Sequence, residues 1–281
     1  MSAADAPTEP LRNLLRRHGL DSVRGAFAFT GGLDMAKAGL RRRRRTRVEL
    51  TDEDGRTHVL FLKRYGRDSL AARLRRLLTH GRWCSPAAVE FRNIRSARRA
   101  GLPTMRELAC GEGACGGWWR SHLVMTAVPG EAMERCPEDF WKRLYADEGA
   151  ARRFATALAE LVRRLHRAGF VHRDLYSSHV FLDEQDGEFR LCLIDMARVF
   201  RPRWRKFRWR VKDLAELHHS MPAQWLRRWW DELLREYLFG AEQRMNRWRR
   251  AVERKSASIA RRAKRKLWAR RTARSAENGS P

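Results

Sequence analysis

The chain has 281 residues, with 60 Lys and Arg against 33 Asp and Glu, for a formal net charge of +27. Hydrophobic residues make up 43% and include 11 Trp, enough to fill a sizeable core, which excludes wholesale disorder despite the charge. No stretch approaches the ~20 consecutive apolar residues of a membrane-spanning helix, MSAADAPTEP lacks the layout of a signal peptide, and five Cys without a CxxC pair favour neither a disulfide framework nor a four-cysteine zinc site.

These features lead us to expect a cytoplasmic protein with buried thiols and an affinity for polyanions, whether nucleic acid, anionic lipid or phosphorylated glycan. In chain order, residues 1–24 read as a leader with a short helix, LRNLLRRHGL. RTRVEL and HVLFLKRY alternate like strands around the turn TDEDGRT, which predicts an antiparallel meander. Helical periodicity follows over residues 69–79 and 86–100 and ends at AGLPT; the apolar run SHLVMTAV, residues 121–128, reads as a buried strand stopping at Pro129-Gly130. A boundary between two lobes is expected there, giving an N-lobe over 25–128 and a C-lobe over 129–240.

In the second lobe, residues 137–169 are predicted helical, with Phe154, Leu158, Leu161, Val162 and Leu165 forming one stripe. HVFLD and FRLCLID then flank the hairpin signal EQDGE, and a Trp-rich helix covers 211–240. Residues 241–281 carry 14 Lys and Arg against three Glu, with Met245, Trp248, Val252 and Ile259 at helical spacing. This segment reads as a basic amphipathic helix with a fraying end, suited to an anionic membrane; nucleic acid is the less favoured partner.

The chemistry concentrates in VHRDLYSSHVFLD, residues 171–183, and LIDMARV, residues 193–199. An apolar strand ending in His-Arg-Asp, with a second Asp at the end of a further strand, suits phosphoryl transfer. Asp174 would accept the proton of an attacking hydroxyl, and Asp195 would bind the magnesium that bridges ATP phosphates. Upstream, Lys63 in LFLKRY would contact those phosphates, held by an ion pair with Glu90 in AAVEFRNI.

On these residues the sequence resembles the lipopolysaccharide kinase family, the Kdo and heptose (WaaP-like) kinases of the inner core. The resemblance rests on HRDLYSSHVFLD, with His179 where protein kinases place Asn, on LIDMAR, FLKRY and AGLPT, and on RWRVKDLAEL around Asp213. It implies an α+β, bilobed protein-kinase-like fold with an antiparallel-sheet N-lobe and a mainly helical C-lobe. It also implies transfer from ATP with Mg2+ to a sugar hydroxyl of a lipid A–core type glycan, at the cytoplasmic face of the inner membrane. Asp174 becomes the base, Asp195 and His179 metal ligands, Lys63 and Glu90 the phosphate clamp, and Asp213 the brace of the catalytic loop, with His172 and Arg173 as scaffold.

The sequence departs from kinases in lacking GxGxxG. The turn expected to cover the phosphates is instead LRRRRRTR, residues 40–47, where Arg44 and Arg45 would donate to phosphate oxygens. No APE segment follows LIDMAR, which disfavours a protein substrate. Nitrogen at His179 is unusual for magnesium. His218 and His219, adjacent on a helix, point about 100° apart and read as surface residues. Rival readings are a protein or small-molecule kinase of the same fold and a catalytically silent module that binds anionic surfaces.

Overall fold

The structure, a computed structural model, describes residues 9–35, 43–80 and 84–278. The chain divides into two compact units, residues 1–128 with 193–199, and residues 129–192 with 200–281. The first unit thus reclaims the short segment around Asp195 from the second half of the chain.

The first unit is built on a five-stranded antiparallel sheet. Its strands are β1 (Leu33–Asp34), β2 (Arg43–Thr51), β3 (Thr57–Tyr65), β4 (Glu107–Cys115) and β5 (Trp118–Thr126), in the order β1-β2-β3-β5-β4. It departs from the expected simple meander at one place: β5 rather than β4 lies beside β3. Strand β4, with Gly111 and Gly113 and polar neighbours, lacks the alternation that identifies its partners. On one sheet face Val48, Leu50, Leu60, Leu62 and Val124 pack with Leu11, Leu14, Leu15, Leu20 and Ala26. The last five come from α1 (Glu9–Arg17), α2 (Val23–Ala28) and the turn between them, so the expected leader is part of the core.

Helix α3 (Leu70–His80) follows β3, and α4 (Pro86–Arg99) follows it. Ser85 caps α4, its hydroxyl accepting the Ala88 amide at 3.1 Å, with Pro86 in the first turn where no amide is needed. Capping sets the phase that turns Glu90 and Ile94 inward, both with no exposed surface.

The second unit is mainly helical. It contains β6 (Glu131–Ala132), α5 (Glu138–Ala146), α6 (Glu148–Arg167), β7 (Val180–Gln185), β8 (Glu188–Leu193), α7 (Lys206–Ser220), α8 (Ala223–Tyr237) and α9 (Met245–Asn278). The expected helix over 137–169 is two helices, because Asp147 leaves helical geometry to cap α6 through the Ala150 amide. Met221-Pro222 likewise separates α7 from α8. Gly130 has φ +76°, and a Cβ there would lie 2.0 Å from the Leu182 carbonyl oxygen, so only glycine brings β6 onto β7. The core is aromatic: Phe154 meets Phe140, Phe189 and Trp225 edge-on, with centroids 5.4 to 5.8 Å away.

Helix α9 changes character along its length. Trp248 and Val252 are buried, with Trp248 against Phe207 of α7 and Tyr237 of α8. The expected membrane-facing stripe therefore covers the protein's own helices in its first half. Leu267 and Trp268, further on, are exposed. Among the described residues no helix is long and apolar enough to cross a membrane.

Candidate active site

In the first unit, β3 ends on Lys63 and Tyr65, whose side chains share one face of the sheet because their positions differ by two. Lys63 is buried and pairs with the fully buried Glu90 of α4. Its Nζ also lies 3.2 Å from Asp195 Oδ1. Tyr65 donates its hydroxyl to the other Glu90 oxygen, Oε2. Burial and the nearby Glu90 push the Tyr65 phenol well above its usual range, which keeps it a donor.

A fourth member comes from β2. The β2–β3 register sets Arg43 opposite Tyr65, Arg44 opposite Arg64 and Arg45 opposite Lys63. Directly paired residues share a face, so Arg43 and Arg45 lie on the Lys63 side and Arg44 on the other. Arg43 reaches Asp195 Oδ1 at 3.1 Å and Glu90 Oε2 at 3.6 Å. Arg44 instead pairs with Asp34, which also accepts from Thr46 at 2.6 Å and lies 3.4 Å from Arg64. Strand parity thus sets Arg44, expected beside the phosphates, on the face away from Lys63, and Arg43 on the Lys63 face. Residues 43–47 form strand rather than turn; residues 40–42 of the expected phosphate cover lie outside the described residues.

Asp195 is held from both flanks. Thr104 donates to the Leu193 carbonyl at 2.6 Å, and Leu193 donates its amide to the Pro103 carbonyl at 2.9 Å. Beyond Asp195, the Asn93 amide donates to the carbonyls of Met196 and Val199, both at 2.8 Å. Asp195 itself has φ +56°, a left-handed backbone that such anchoring sustains. The cluster balances two cations against two carboxylates, and Asp195 remains partly exposed. A carboxylate beside two cations suits a magnesium–nucleotide complex, since magnesium takes oxygen ligands and is commonly held by one or two carboxylates plus substrate phosphates.

In the second unit, one face of α7 binds the backbone of the loop over residues 172–177. Asp213, fully buried, accepts the amides of His172 at 2.7 Å and Arg173 at 2.8 Å. Glu216 accepts the amide of Leu175 at 3.3 Å, and Ser220 that of Ser177 at 2.8 Å. Lys212 bridges the Glu216 carboxylate and the Arg173 carbonyl. His166 of α6 donates Nε2–H to Asp213 at 3.2 Å while its Nδ1 accepts from Tyr237 at 2.9 Å. Burial holds the His166 ring below its ordinary pKa against the pull of Asp213, which keeps it neutral. Arg173 has φ +70°, and its guanidinium stacks over Phe200 and Trp209 at 5.3 and 5.4 Å.

These bonds present Asp174, half-buried, between two anchored peptides. His179 Nδ1 donates to the Asp174 carbonyl at 2.7 Å, and the ring stacks on His172 with centroids 5.8 Å apart. A carbonyl only accepts, so Nδ1 carries a proton. Among the described residues, no three His, Cys, Asp or Glu side chains form a group able to hold a metal by themselves.

Tyr65, His166, Lys212, Glu216 and Ser220 escaped the sequence reading, and Arg43 entered it only as part of LRRRRRTR. Asp213, Glu216 and Ser220 do recur at helical spacing on α7, but Lys206 and Arg210 share that side, so the spacing does not single them out.

Residues 38–237 match the family model for the lipopolysaccharide kinase (Kdo/WaaP) family. The lipopolysaccharide core heptose(I) kinase WaaP of Pseudomonas aeruginosa is 31% identical over 177 residues, covering 60% of this chain and 65% of that protein. The 3-deoxy-D-manno-octulosonic acid kinase of Xanthomonas campestris pv. campestris is 31% identical over 186 residues, covering 62% and 70%. The chain therefore spans just under two thirds of the Pseudomonas relative's length and slightly more of the Xanthomonas one. A solved structure described as WaaP in complex with acyl carrier protein aligns with TM-score 0.59 and 25% identity, over 89% of this chain and 97% of that one.

Proposed function

The chain belongs to the lipopolysaccharide kinase (Kdo/WaaP) family, and from that premise we propose that it transfers the γ-phosphate of ATP to a hydroxyl of Kdo or heptose in the lipopolysaccharide inner core. The observation that carries this reading is the buried Lys63–Glu90 pair with Asp195 and Arg43 beside it, together with an Asp174 whose loop is gripped by α7.

In this reading Lys63 and Arg43 bind the nucleotide phosphates, with Arg45 on the same sheet face as a further donor. Glu90 holds the Lys63 ammonium in place. Asp195 would hold magnesium together with phosphate oxygens, and the ion would supply neutralisation of phosphate charge. His179, whose nitrogen suits magnesium poorly, would orient the Asp174 backbone through its bond to that carbonyl and stand second to Asp195 as a metal ligand. Asp174 accepts the sugar hydroxyl proton as that oxygen bonds to the γ-phosphorus and the bond to the β,γ-bridging oxygen breaks, releasing ADP.

In this reading the acceptor is lipid-linked and the donor is ATP, so the reaction would run at the cytoplasmic face of the inner membrane. The trailing half of α9, cationic with Leu267 and Trp268 exposed, suits adsorption to that face. The test is incubation of the purified protein with ATP, magnesium and core glycolipid from a strain lacking this gene, read by mass spectrometry. One added phosphate on the inner core, lost in Asp174→Asn, is expected; phosphate appearing in protein instead, or none at all, would overturn the assignment.

A further inference from the structure

We propose that a cavity among α6, α7, α8 and the start of α9 binds the phosphate group of a small soluble monoester. The cavity measures about 180 Å3 and is lined by Arg163, Arg167, Arg210 and Arg244, together with His166 and Tyr237. All six belong to the second unit. Arg163 and Arg167, four apart on α6, share a helix face with His166; Arg210 comes from α7, and Arg244 from the turn Glu242–Arg244 that follows α8. Four cations from three segments around one hollow repel one another, and among the described residues no carboxylate lines it.

In a chain of net charge +27 an arginine cluster on a helix is ordinary. This one is distinguished by how its members are held. Arg163, half-buried, pairs with Glu160 and lies over the Phe239 ring at 5.4 Å. Arg210, also half-buried, donates to the His166 carbonyl at 2.9 Å, a neutral partner that leaves its charge unspent. Donors already fixed in place lose little freedom when a ligand arrives. Tyr237 and Asp213 bond the two ring nitrogens of His166, so an anion in this cavity stands beside the chain of bonds that anchors the Asp174 loop.

The donor set selects the ligand. With Arg163 engaged by Glu160, the guanidinia of Arg167, Arg210 and Arg244 remain for an anion. Three guanidinia match the three terminal oxygens of a phosphate monoester, whose charge of about −1.5 to −2 also exceeds that of a carboxylate. Size excludes larger ligands: clefts for drug-sized molecules run to ~300–1,000 Å3, so a nucleotide or a core glycan does not fit. The cavity is also distinct from the cluster of Lys63 and Asp195, which belongs to the first unit.

The experiment is calorimetric titration of glycerol 3-phosphate into the full chain at low ionic strength. Arg167→Gln with Arg244→Gln is expected to weaken binding about tenfold or more. Both positions are exposed, so the melting temperature of this variant without ligand should not fall. Arg261→Gln with Arg262→Gln removes the same charge from the exposed part of α9 and should keep the wild-type affinity. Equal weakening in the two double variants would reveal diffuse attraction to a cationic surface and overturn the site. Dimethyl phosphate, with two free oxygens and one charge, should bind at least tenfold more weakly than the monoester. No binding by the wild type, unchanged affinity in Arg167→Gln with Arg244→Gln, or a diester bound as tightly as the monoester would each overturn the proposal. Any phosphate taken up near Lys63 and Arg43 is common to wild type and variant, so the comparison reads the cavity alone and its outcome is independent of the kinase reading.

Discussion

The Glu216 carboxylate accepts the Leu175 amide at 3.3 Å, one residue beyond Asp174, while Lys212, bonded to the same carboxylate, takes the Arg173 carbonyl one residue before it. A single ion pair on α7 thereby fixes the peptides on both sides of the proposed base. It acts beside Asp213, which holds only the leading side of the loop.

Because it positions rather than reacts, this pair should affect turnover more than nucleotide affinity. Glu216→Gln and Lys212→Met are each expected to lower kcat by roughly tenfold to a hundredfold, the cost typical of slight misplacement, with the KM for ATP within about twofold. The pair also gives a pH signature. Burial raises Glu216 to about 7, against Lys212, which lowers it, and with Asp213 and Asp174 adding to the rise. The bridge to Lys212 needs the carboxylate, so kcat should fall as pH drops below about 7, a limb absent from Glu216→Gln. Stability runs the other way: with the folded pKa above the unfolded one, this group's contribution is complete below pH 4.5 and is lost as pH rises through about 7. A kcat–pH profile of Glu216→Gln that keeps the wild-type acid limb would reject the assignment.

Glu90 has no exposed surface and touches Lys63, Tyr65 and Arg43. Breaking a buried ion pair from one side leaves an uncompensated charge and costs about 3 to 5 kcal/mol. Glu90→Gln should therefore lower stability by about 3 kcal/mol in urea unfolding, with m unchanged. Tyr65→Phe removes only a donor to Glu90 and should cost about 1 to 2 kcal/mol. Equal losses in the two variants would contradict the central place given to Glu90.

Neighbouring arginines in one run should differ sharply. Arg43→Gln is expected to raise the KM for ATP about tenfold, whereas Arg44→Gln, on the opposite face with Asp34, should leave it within about twofold. Steady-state kinetics at saturating acceptor decide this, and the reverse order would mean the β2 register differs in the working enzyme.

That pair also marks how far the chemistry was legible. Lys63, Glu90, Asp174 and Asp195 stand out because kinase chemistry requires those residue types at strand and loop ends, and flanking apolar runs locate those ends. Five successive arginines give no alternation of hydrophobicity, so nothing in the run itself tells which ones face Lys63; the register against β3 does. The α7 face was hidden for a related reason: Lys212, Glu216 and Ser220 read as ordinary polar positions until the loop they bind is in place. Helix α9 misled in the opposite sense, since an apolar stripe at helical spacing looks the same whether lipid or a neighbouring helix covers it.

Two truncations should separate the halves of α9. Ending the chain after residue 244 removes Trp248 and Val252, which are buried against α7 and α8, together with the Arg249–Asp231 pair at 2.6 Å. Loss of one large buried side chain costs about 3 to 5 kcal/mol, so this truncation should unfold the second unit or lower its Tm by many degrees. Ending after residue 260 removes Arg261, Arg262, Lys264 and Arg265 with Leu267 and Trp268, all exposed. Its Tm should match the full chain, while binding to anionic vesicles weakens and loses much of its salt dependence, because each cation near such a surface contributes about 1 kcal/mol that salt screens. Circular dichroism melts and vesicle sedimentation at two salt concentrations read both effects; a shorter form that melts normally would show that α7 does not need α9 to cover it.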